Sequence, residues 1–268
     1  MTPTSTPAPG TRAPRPGRLL RHSLVLARRS LAKSARNPGA MVNGVVTPAL
    51  FLVIFAYLFG GAVAGSTAEY LQYLFPGIVV MGAAVSAMAS SGVAITIDMK
   101  NGIDDRFRSL PIGRSAPLLG SILADLVRYA IALVLLFLIG HLLGFRVETS
   151  APAALAASAL AIGFGFCLSW IAVFLGALLK DESAVLAVGF IAFLPLQLGT
   201  SLAAPTRTLP GWLGAWADVN PVTHAMDASR ALLTGTPAGG SILGTLVWSA
   251  IMLVVFCPLA IRTYSRER

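Results

Sequence analysis

One short segment gathers the side chains of this chain that could do chemistry. Residues 101–117, NGIDDRFRSLPIGRSAP, hold two aspartates and three arginines, although only 12% of the 268 residues are charged. Aspartates leading into Asp125 would suit a lipid-modifying membrane enzyme, which needs several carboxylates at helical spacing to hold a divalent metal ion. Asp104 and Asp105 are adjacent and point in different directions, however, and Asp125 has no acidic residue four positions away. The spacing therefore favours another use for these charges.

The elements around this segment are long and apolar. Hydrophobic residues make up 56% of the chain, and the mean hydropathy is +0.77. A bilayer core about 30 Å thick needs roughly 20 apolar residues of helix, whereas transmembrane strands are about 10 residues long and alternate polar with apolar positions. The sequence predicts an all-α integral membrane protein with a six-helix transmembrane domain over 41–261. The predicted spans lie near 41–63, 73–97, 118–144, 154–179, 184–204 and 241–261.

Basic residues are distributed unevenly along this pattern. Sixteen of the 20 Lys and Arg residues precede the first span, lie in the second or fourth connection, or follow the last span. Positive charge is retained on the cytoplasmic side of membranes. We therefore expect both termini, including a tail over 262–268, to be cytoplasmic. This sorting explains the net charge of +9 without a nucleic-acid partner.

The region before the first span divides into two parts. Residues 1–17 are rich in Pro, Thr and Ala, which predicts a disordered cytoplasmic tail. Residues 18–36 combine apolar residues at helical spacing with many cations, which indicates a basic amphipathic helix on the inner membrane surface. An unstructured basic tail is the alternative. The residues of the interfacial helix expected to contact lipid are Arg18, Arg21, Leu24, Arg28 and Arg29.

The charged segment between the second and third spans has the pattern of a short helix. Asn101 is a suitable N-cap, and Ile103, Phe107 and Leu110 fall on one face. Pro111 prevents the helix from continuing. An apolar stripe flanked by charges suits insertion into a groove on another protein, and a helix lying on the inner leaflet is the alternative.

A pair of ionisable residues lies within the third predicted span. Asp125 and Arg128 are three residues apart and therefore share a helix face. An ionisable group at the bilayer centre costs about 2.5–3.5 kcal/mol, and this cost falls near the cytoplasmic end. The pair is interpreted as interfacial with a packing role, and a role in gating or partner contact is the alternative.

The last outer connection, 205–240, is longer than the others. Its two tryptophans suit a membrane interface, its Pro-Gly and Asn-Pro dipeptides indicate turns, and residues 222–233 could form a short helix. The pattern predicts a re-entrant or surface hairpin over the outer mouth. The marker residues of this hairpin are Pro210, Gly211, Trp212, Trp216, Asn220 and Pro221.

Two blocks of sequence resemble a known family. DMKNGIDDRFRSLPIGRSAPLLGSILADLVR is similar to the cytoplasmic loop of ABC-2 type exporter permeases, especially the daunorubicin-resistance membrane proteins. LPGWLGAWADVNPVTHAMDASRALLTG resembles their last outer loop. The similarity extends from Arg18 to the end of the chain.

The resemblance implies a function and a set of partners. It implies that the chain is the membrane subunit of an exporter for an amphiphilic drug, lipid or glycan-type substrate, in the cell membrane of a bacterium. Two permeases, as a homodimer, would work with two copies of a cytoplasmic ATPase subunit, which binds the ATP and Mg. The helix of 101–110 would couple the permease to this ATPase. The implied coupling residues are Ile103, Asp104, Asp105, Arg106, Phe107, Arg108, Leu110 and Pro111.

Other functions are disfavoured by missing motifs. The sequence has no G-x-x-x-x-G-K-[ST] loop, so we expect no ATP hydrolysis, no catalytic residues and no cofactor on this chain. H-E-x-x-H and G-x-S-x-G are also absent. A proton- or ion-coupled carrier or channel would place ionisable residues at mid-membrane, yet five of the six spans have none there. A lipid-modifying enzyme and such a carrier remain the alternatives.

Overall fold

The computed structural model describes residues 38–100 and 116–266. This part of the chain forms eight α-helices and one 3-10 turn, with no strand, which confirms the predicted all-α fold class. The helices are α1 Pro38–Ala64, α2 Thr67–Lys100, α3 Ala116–Leu143, α4 Ala151–Leu179, α5 Glu182–Leu198, α6 Gly211–Val219, α7 Pro221–Thr234 and α8 Ser241–Arg266.

Side-chain caps and one left-handed residue define the α4–α5 turn. Asp181 Oδ1 accepts a hydrogen bond from the backbone N–H of Ala184 at 3.0 Å and so begins α5. Lys180 has φ +55° and ends α4 in the left-handed conformation. Only two residues separate the helices, so the chain reverses direction at once.

Helix α2 is the centre of the bundle. It packs against α1, α3, α4, α5 and α7. Its closest approach is to α4, where a Cβ added to Gly176 would lie 2.5 Å from the carbonyl oxygen of Gly92. Thr96 Oγ1 donates to this carbonyl at 3.0 Å and to that of Gly176 at 3.3 Å. Small residues permit such close helix packing in lipid.

The connections between helices collect at two ends of the bundle. At one end, Tyr70 on α2 donates to the carbonyl of Ala203 at 2.8 Å, and the backbone N–H of Glu148 donates to that of Leu233 at 3.0 Å. We call this the hairpin end, because α6 and α7 lie there. At the opposite end, which we call the Lys100 end, Lys100 contacts the α4–α5 turn.

The spans agree with the structure in type and differ in their ends. Five helices, α1, α2, α3, α4 and α8, are long and apolar enough to cross a membrane. Helix α5 has 17 residues and ends at Leu198, whereas the sequence predicted a span over 184–204. After Leu198, the side chains of Asn220 and Thr200 rather than a further helical turn bind the carbonyls of Leu196 and Gln197. The count of six spans therefore stays a prediction.

Candidate functional site

The predicted coupling residues, Ile103 to Pro111, and the predicted interfacial helix, 18–36, lie outside the described residues. The described residue that precedes the predicted coupling segment is Lys100, the last residue of α2. Lys100 Nζ lies 3.1 Å from Asp181 Oδ2 and 3.6 Å from Glu182 Oε1, and all three side chains are exposed. The end of α2 is thus linked to the start of α5.

The carboxylate of Asp181 has two partners in this contact. The backbone N–H of Ala184 and, to a lesser extent, the ammonium of Lys100 lower the pKa of Asp181 below its usual value. Asp181 therefore remains ionised at neutral pH, and one side chain both caps α5 and binds the end of α2.

The predicted pair in α3 forms a direct contact. Arg128 Nη2 donates to Asp125 Oδ1. Asp125 is fully buried, whereas the side chain of Arg128 keeps 23% of its surface exposed. On the next position of α3, the hydroxyl of Tyr129 lies 3.0 Å from that of Ser169 on α4. A buried carboxylate is tolerated only when it is paired. Arg128 supplies a positive charge that offsets the cost of burying Asp125.

The predicted hairpin at 205–240 consists of two helices with different surroundings. Helix α6 follows Pro210 and exposes its tryptophans, with 76% of Trp212 and 43% of Trp216 accessible. Helix α7 begins at Pro221 and packs against α2, α4 and α8. The dipeptides expected to form turns therefore begin helices, and half of the hairpin is inside the bundle.

The side chain of Asn220 joins this hairpin to the end of α5. Its Oδ1 accepts from the N–H of Val222 at 2.9 Å, which caps α7. Its Nδ2 donates to the carbonyls of Leu196 at 2.9 Å and Gly199 at 3.0 Å. Trp216 Nε1 donates to the carbonyl of Pro195 at 3.3 Å. Carbonyls at a helix C-terminus lack intrahelical partners, and here the hairpin supplies them.

Arg230 forms a polar cluster that the sequence did not predict. From α7 its guanidinium reaches Asp227, the carbonyl of Ser201 at 3.1 Å and the carbonyl of Tyr73 at 3.1 Å. It also lies 3.9 Å from the centre of the Tyr73 ring. In the charge count, Arg230 was one of the four basic residues outside the predicted cytoplasmic segments, and no contact was predicted for it. The available signal was its spacing of three residues from Asp227, which is the spacing of the pair in α3.

A small cavity lies between α1, α2 and α3. Its volume is about 20 Å³, and its walls are mostly apolar, with the polar groups of Ser86 and Tyr129 among them. A cavity of this size holds about one water molecule. At this cavity, Pro48 of α1 packs against Gly82, one of the small residues of α2.

The described polar groups position helices. Among the described residues, no group of three or more His, Cys, Asp or Glu could hold a metal ion. The contacts found at both ends are ion pairs, helix caps and bonds to backbone carbonyls. Together with five helices of membrane-spanning length, they define a multi-pass membrane protein.

The comparisons place this protein in a family. The model of the ABC-2 type transporter family matches residues 21–234, so the chain belongs to that family. It is 38% identical over 230 residues to the daunorubicin resistance ABC transporter permease protein DrrB1 of Streptomyces coeruleorubidus, covering 86% of this chain and 81% of that protein. The resemblance to daunorubicin-resistance permeases predicted from the sequence is confirmed.

More distant relatives have similar names. The chain is 25% identical over 240 residues to the probable doxorubicin resistance ABC transporter permease protein DrrC of Mycobacterium tuberculosis, covering 89% of this chain and 87% of that protein. It is 27% identical over 218 residues to the putative transport permease ycf38 of Cyanophora paradoxa, covering 78% and 72%. The predicted function, the membrane subunit of an ABC exporter, is confirmed at this level.

Proposed function

We propose that this chain is the permease of an exporter that moves amphiphilic drugs out of a bacterial cell. The observation that carries this proposal is the 38% identity, over most of both chains, with a permease named for daunorubicin resistance. The apolar character of the spans supports it, because an amphiphilic substrate can move along such helices without a fixed charge to bind. Lipids and glycan precursors are the other substrate classes that the sequence suggested.

The energy comes from a separate ATPase subunit. This chain has no phosphate-binding loop in its sequence, so ATP and Mg bind to the partner. Two permeases, as a homodimer, and two ATPase subunits form the working transporter. The chain itself is then no enzyme, and its task is to convert movements of the ATPase into movements of its own helices.

The ATPase docks on residues 101–110, with the interfacial helix of 18–36 beside it on the lipid surface. The contact of Lys100 with Asp181 supports this placement, because it links the end of α2, directly before the segment, to the start of α5. Phe107, the largest apolar residue of the segment, anchors the contact. Truncation of an aromatic anchor costs about 2 kcal/mol or more.

The chain crosses the membrane six times, with both termini and the Lys100 end in the cytoplasm. The charge asymmetry supports this orientation. Helix α5 supports the sixth crossing, since its first residues contact Lys100 and its last residues contact Asn220 at the opposite end. Its 17 residues span about 26 Å, slightly less than the bilayer core. The tryptophans of α6 then lie at the outer membrane interface.

Reconstituted vesicles test this proposal. The permease and its partner ATPase subunit should together accumulate daunorubicin on addition of ATP and Mg, and the permease alone should accumulate none and hydrolyse no ATP. Vesicles that flip a fluorescent phospholipid but leave daunorubicin in place would overturn the drug assignment. ATP hydrolysis by the purified permease would overturn the assignment of ATP hydrolysis to a separate subunit.

A matched substitution tests the docking site. Phe107→Ala should weaken binding of the ATPase by roughly 30-fold, the equivalent of about 2 kcal/mol. Phe59→Ala changes the same type of side chain near the end of α1, where 38% of Phe59 is exposed, and should leave ATPase binding unchanged. Binding measured with purified components that is equal for wild type and Phe107→Ala would exclude this helix as the docking element.

A further inference from the structure

The segment 199–204, which follows α5, is held in the bundle by side chains. The carbonyl of Ser201 accepts from the hydroxyl of Tyr73 at 2.7 Å and from Arg230 Nη2 at 3.1 Å. The hydroxyl of Ser201 donates to Asp227 Oδ1 at 2.6 Å. The carbonyl of Ala203 accepts from the hydroxyl of Tyr70 at 2.8 Å. Irregular backbone is therefore satisfied here by side chains of α2 and α7.

Arg230 connects the three elements that meet at this point. Its Nε donates to the carbonyl of Tyr73 on α2, its Nη2 donates to Ser201, and its Nη1 pairs with Asp227 on its own helix α7. The side chain is 8% exposed. Because the guanidinium fork presents several donors in one rigid plane, a single residue holds all three elements together.

The packing at this junction is close. A Cβ added to Gly77 of α2 would lie 2.9 Å from Leu202 Cδ1, so Leu202 sits directly on the helix surface. Helix α5 itself packs on α2, α4 and α7, and it leaves Phe190 and Ile191 exposed. The hairpin end of α5 is thus held by side-chain hydrogen bonds to Ser201 and Ala203 as well as by the packing of Leu202.

We infer that Arg230 is a positioning residue for transport: it latches the hairpin end of α5 to α2 and releases it while substrate leaves. The inference rests on the proposed export function. When the latch opens, the carbonyls of Ser201 and Ala203 lose their protein partners and need water. Irregular backbone at membrane depth is tolerated only inside protein or along a water-filled path. The released segment therefore lines the exit path and faces water.

Thiol labelling tests the latch without a transport assay. The parent chain carries Leu202→Cys with Cys167 and Cys257 replaced by alanine, and a membrane-impermeant maleimide is added outside intact cells. Arg230→Lys should speed labelling about tenfold, the effect of losing a charge-assisted hydrogen bond. The matched change Arg207→Lys, at an exposed position near the same segment, should leave the rate unchanged. Equal rates in all three chains would overturn the inference.

Addition of ATP distinguishes a moving latch from a static brace. In membranes that also contain the ATPase, ATP should speed labelling of the Leu202→Cys thiol, whatever the transported substrate is. A rate that does not respond to ATP, in vesicles whose ATPase is active, would overturn the latch. This outcome is separate from failure of the drug assignment, which concerns daunorubicin accumulation alone.

A reversible cross-link completes the test. The double variant Gly77→Cys/Leu202→Cys places two thiols where the segment contacts α2. The replacement at position 202 also removes the leucine that would clash with a Cβ at position 77. Oxidation should abolish ATP-dependent daunorubicin accumulation, and a reducing agent should restore it, whereas neither single variant should respond. Full transport by the cross-linked protein would show that the segment need not leave α2.

Discussion

Two Asp–Arg pairs have the same spacing but differ in which residue is buried: the aspartate in one pair and the arginine in the other. In α3, Asp125 is fully buried and Arg128 is 23% exposed. In α7, the side chain of Arg230 is 8% exposed and that of Asp227 is 36% exposed. Helix geometry brings each pair together in the same way. The neighbouring helices therefore decide which partner is withdrawn from water.

The difference predicts which substitution each pair tolerates. A carboxylic acid left without its partner can bind a proton and become neutral, whereas a guanidinium keeps its charge. Loss of the partner should therefore be more costly for a buried arginine than for a buried aspartate. The pair in α7 also holds other elements, because Ser201 and Tyr73 contact its arginine.

The largest effect is expected for Asp227→Ala, which leaves Arg230 buried beside fewer acceptors. The free energy of unfolding should fall by about 3–5 kcal/mol, measured by SDS titration of the purified permease in mixed micelles. Asp218→Ala is the matched control, because Asp218 is an exposed acid on the adjacent helix α6. Equal losses for the two variants would contradict the comparison.

A smaller loss is expected for Arg128→Met in the other pair. The titrations are compared at pH 5, where an aspartate binds a proton at a cost of about 1.5 kcal/mol or less. The neutral carboxyl group of Asp125 would remain buried, and the loss should be about 1–3 kcal/mol. Asp125→Asn/Arg128→Met should lose less than the sum of the two single variants, because the pair is coupled. The same titration measures both. A loss for Arg128→Met larger than that for Asp227→Ala would reverse the proposed order.

A smaller loss again is expected for Tyr73→Phe. The substitution removes the hydroxyl that donates to Ser201, while Arg230 continues to bind the same carbonyl. The free energy of unfolding should fall by about 0.5–1.5 kcal/mol. Tyr57→Phe, at an exposed position of α1, should have no effect. A loss near that of Asp227→Ala would mean that Tyr73, rather than Arg230, holds the segment.

The smallest effect on stability is expected for Lys100→Gln. Its ion pairs with Asp181 and Glu182 are exposed, and exposed pairs contribute little because water and salt screen them. The unfolding curve should match that of wild type at moderate salt. A clear loss of stability would indicate that the pairs at the Lys100 end resemble the buried ones.

Much of the fold could be predicted because it depends on local sequence. The long apolar helices follow from hydropathy and from the thickness of a bilayer, and the contact of Asp125 with Arg128 follows from the helical period. The end of α5 could not be predicted in this way. No proline or charge in residues 199–204 marks the end of the helix, and Asn220 and Trp216 bind the carbonyls of Leu196 and Pro195 near the end of α5.

By itself, the sequence determined the all-helical membrane fold, the family, and the presence of a helix at 222–233. Only the tertiary structure decided that this helix is buried and that Arg230 is its central contact. The partners of Arg230 are Tyr73, 157 positions away in the chain, and Ser201, 29 positions away. Local hydropathy and spacing do not reach across such distances, and burial of a charge depends on which distant groups the folded chain brings to it.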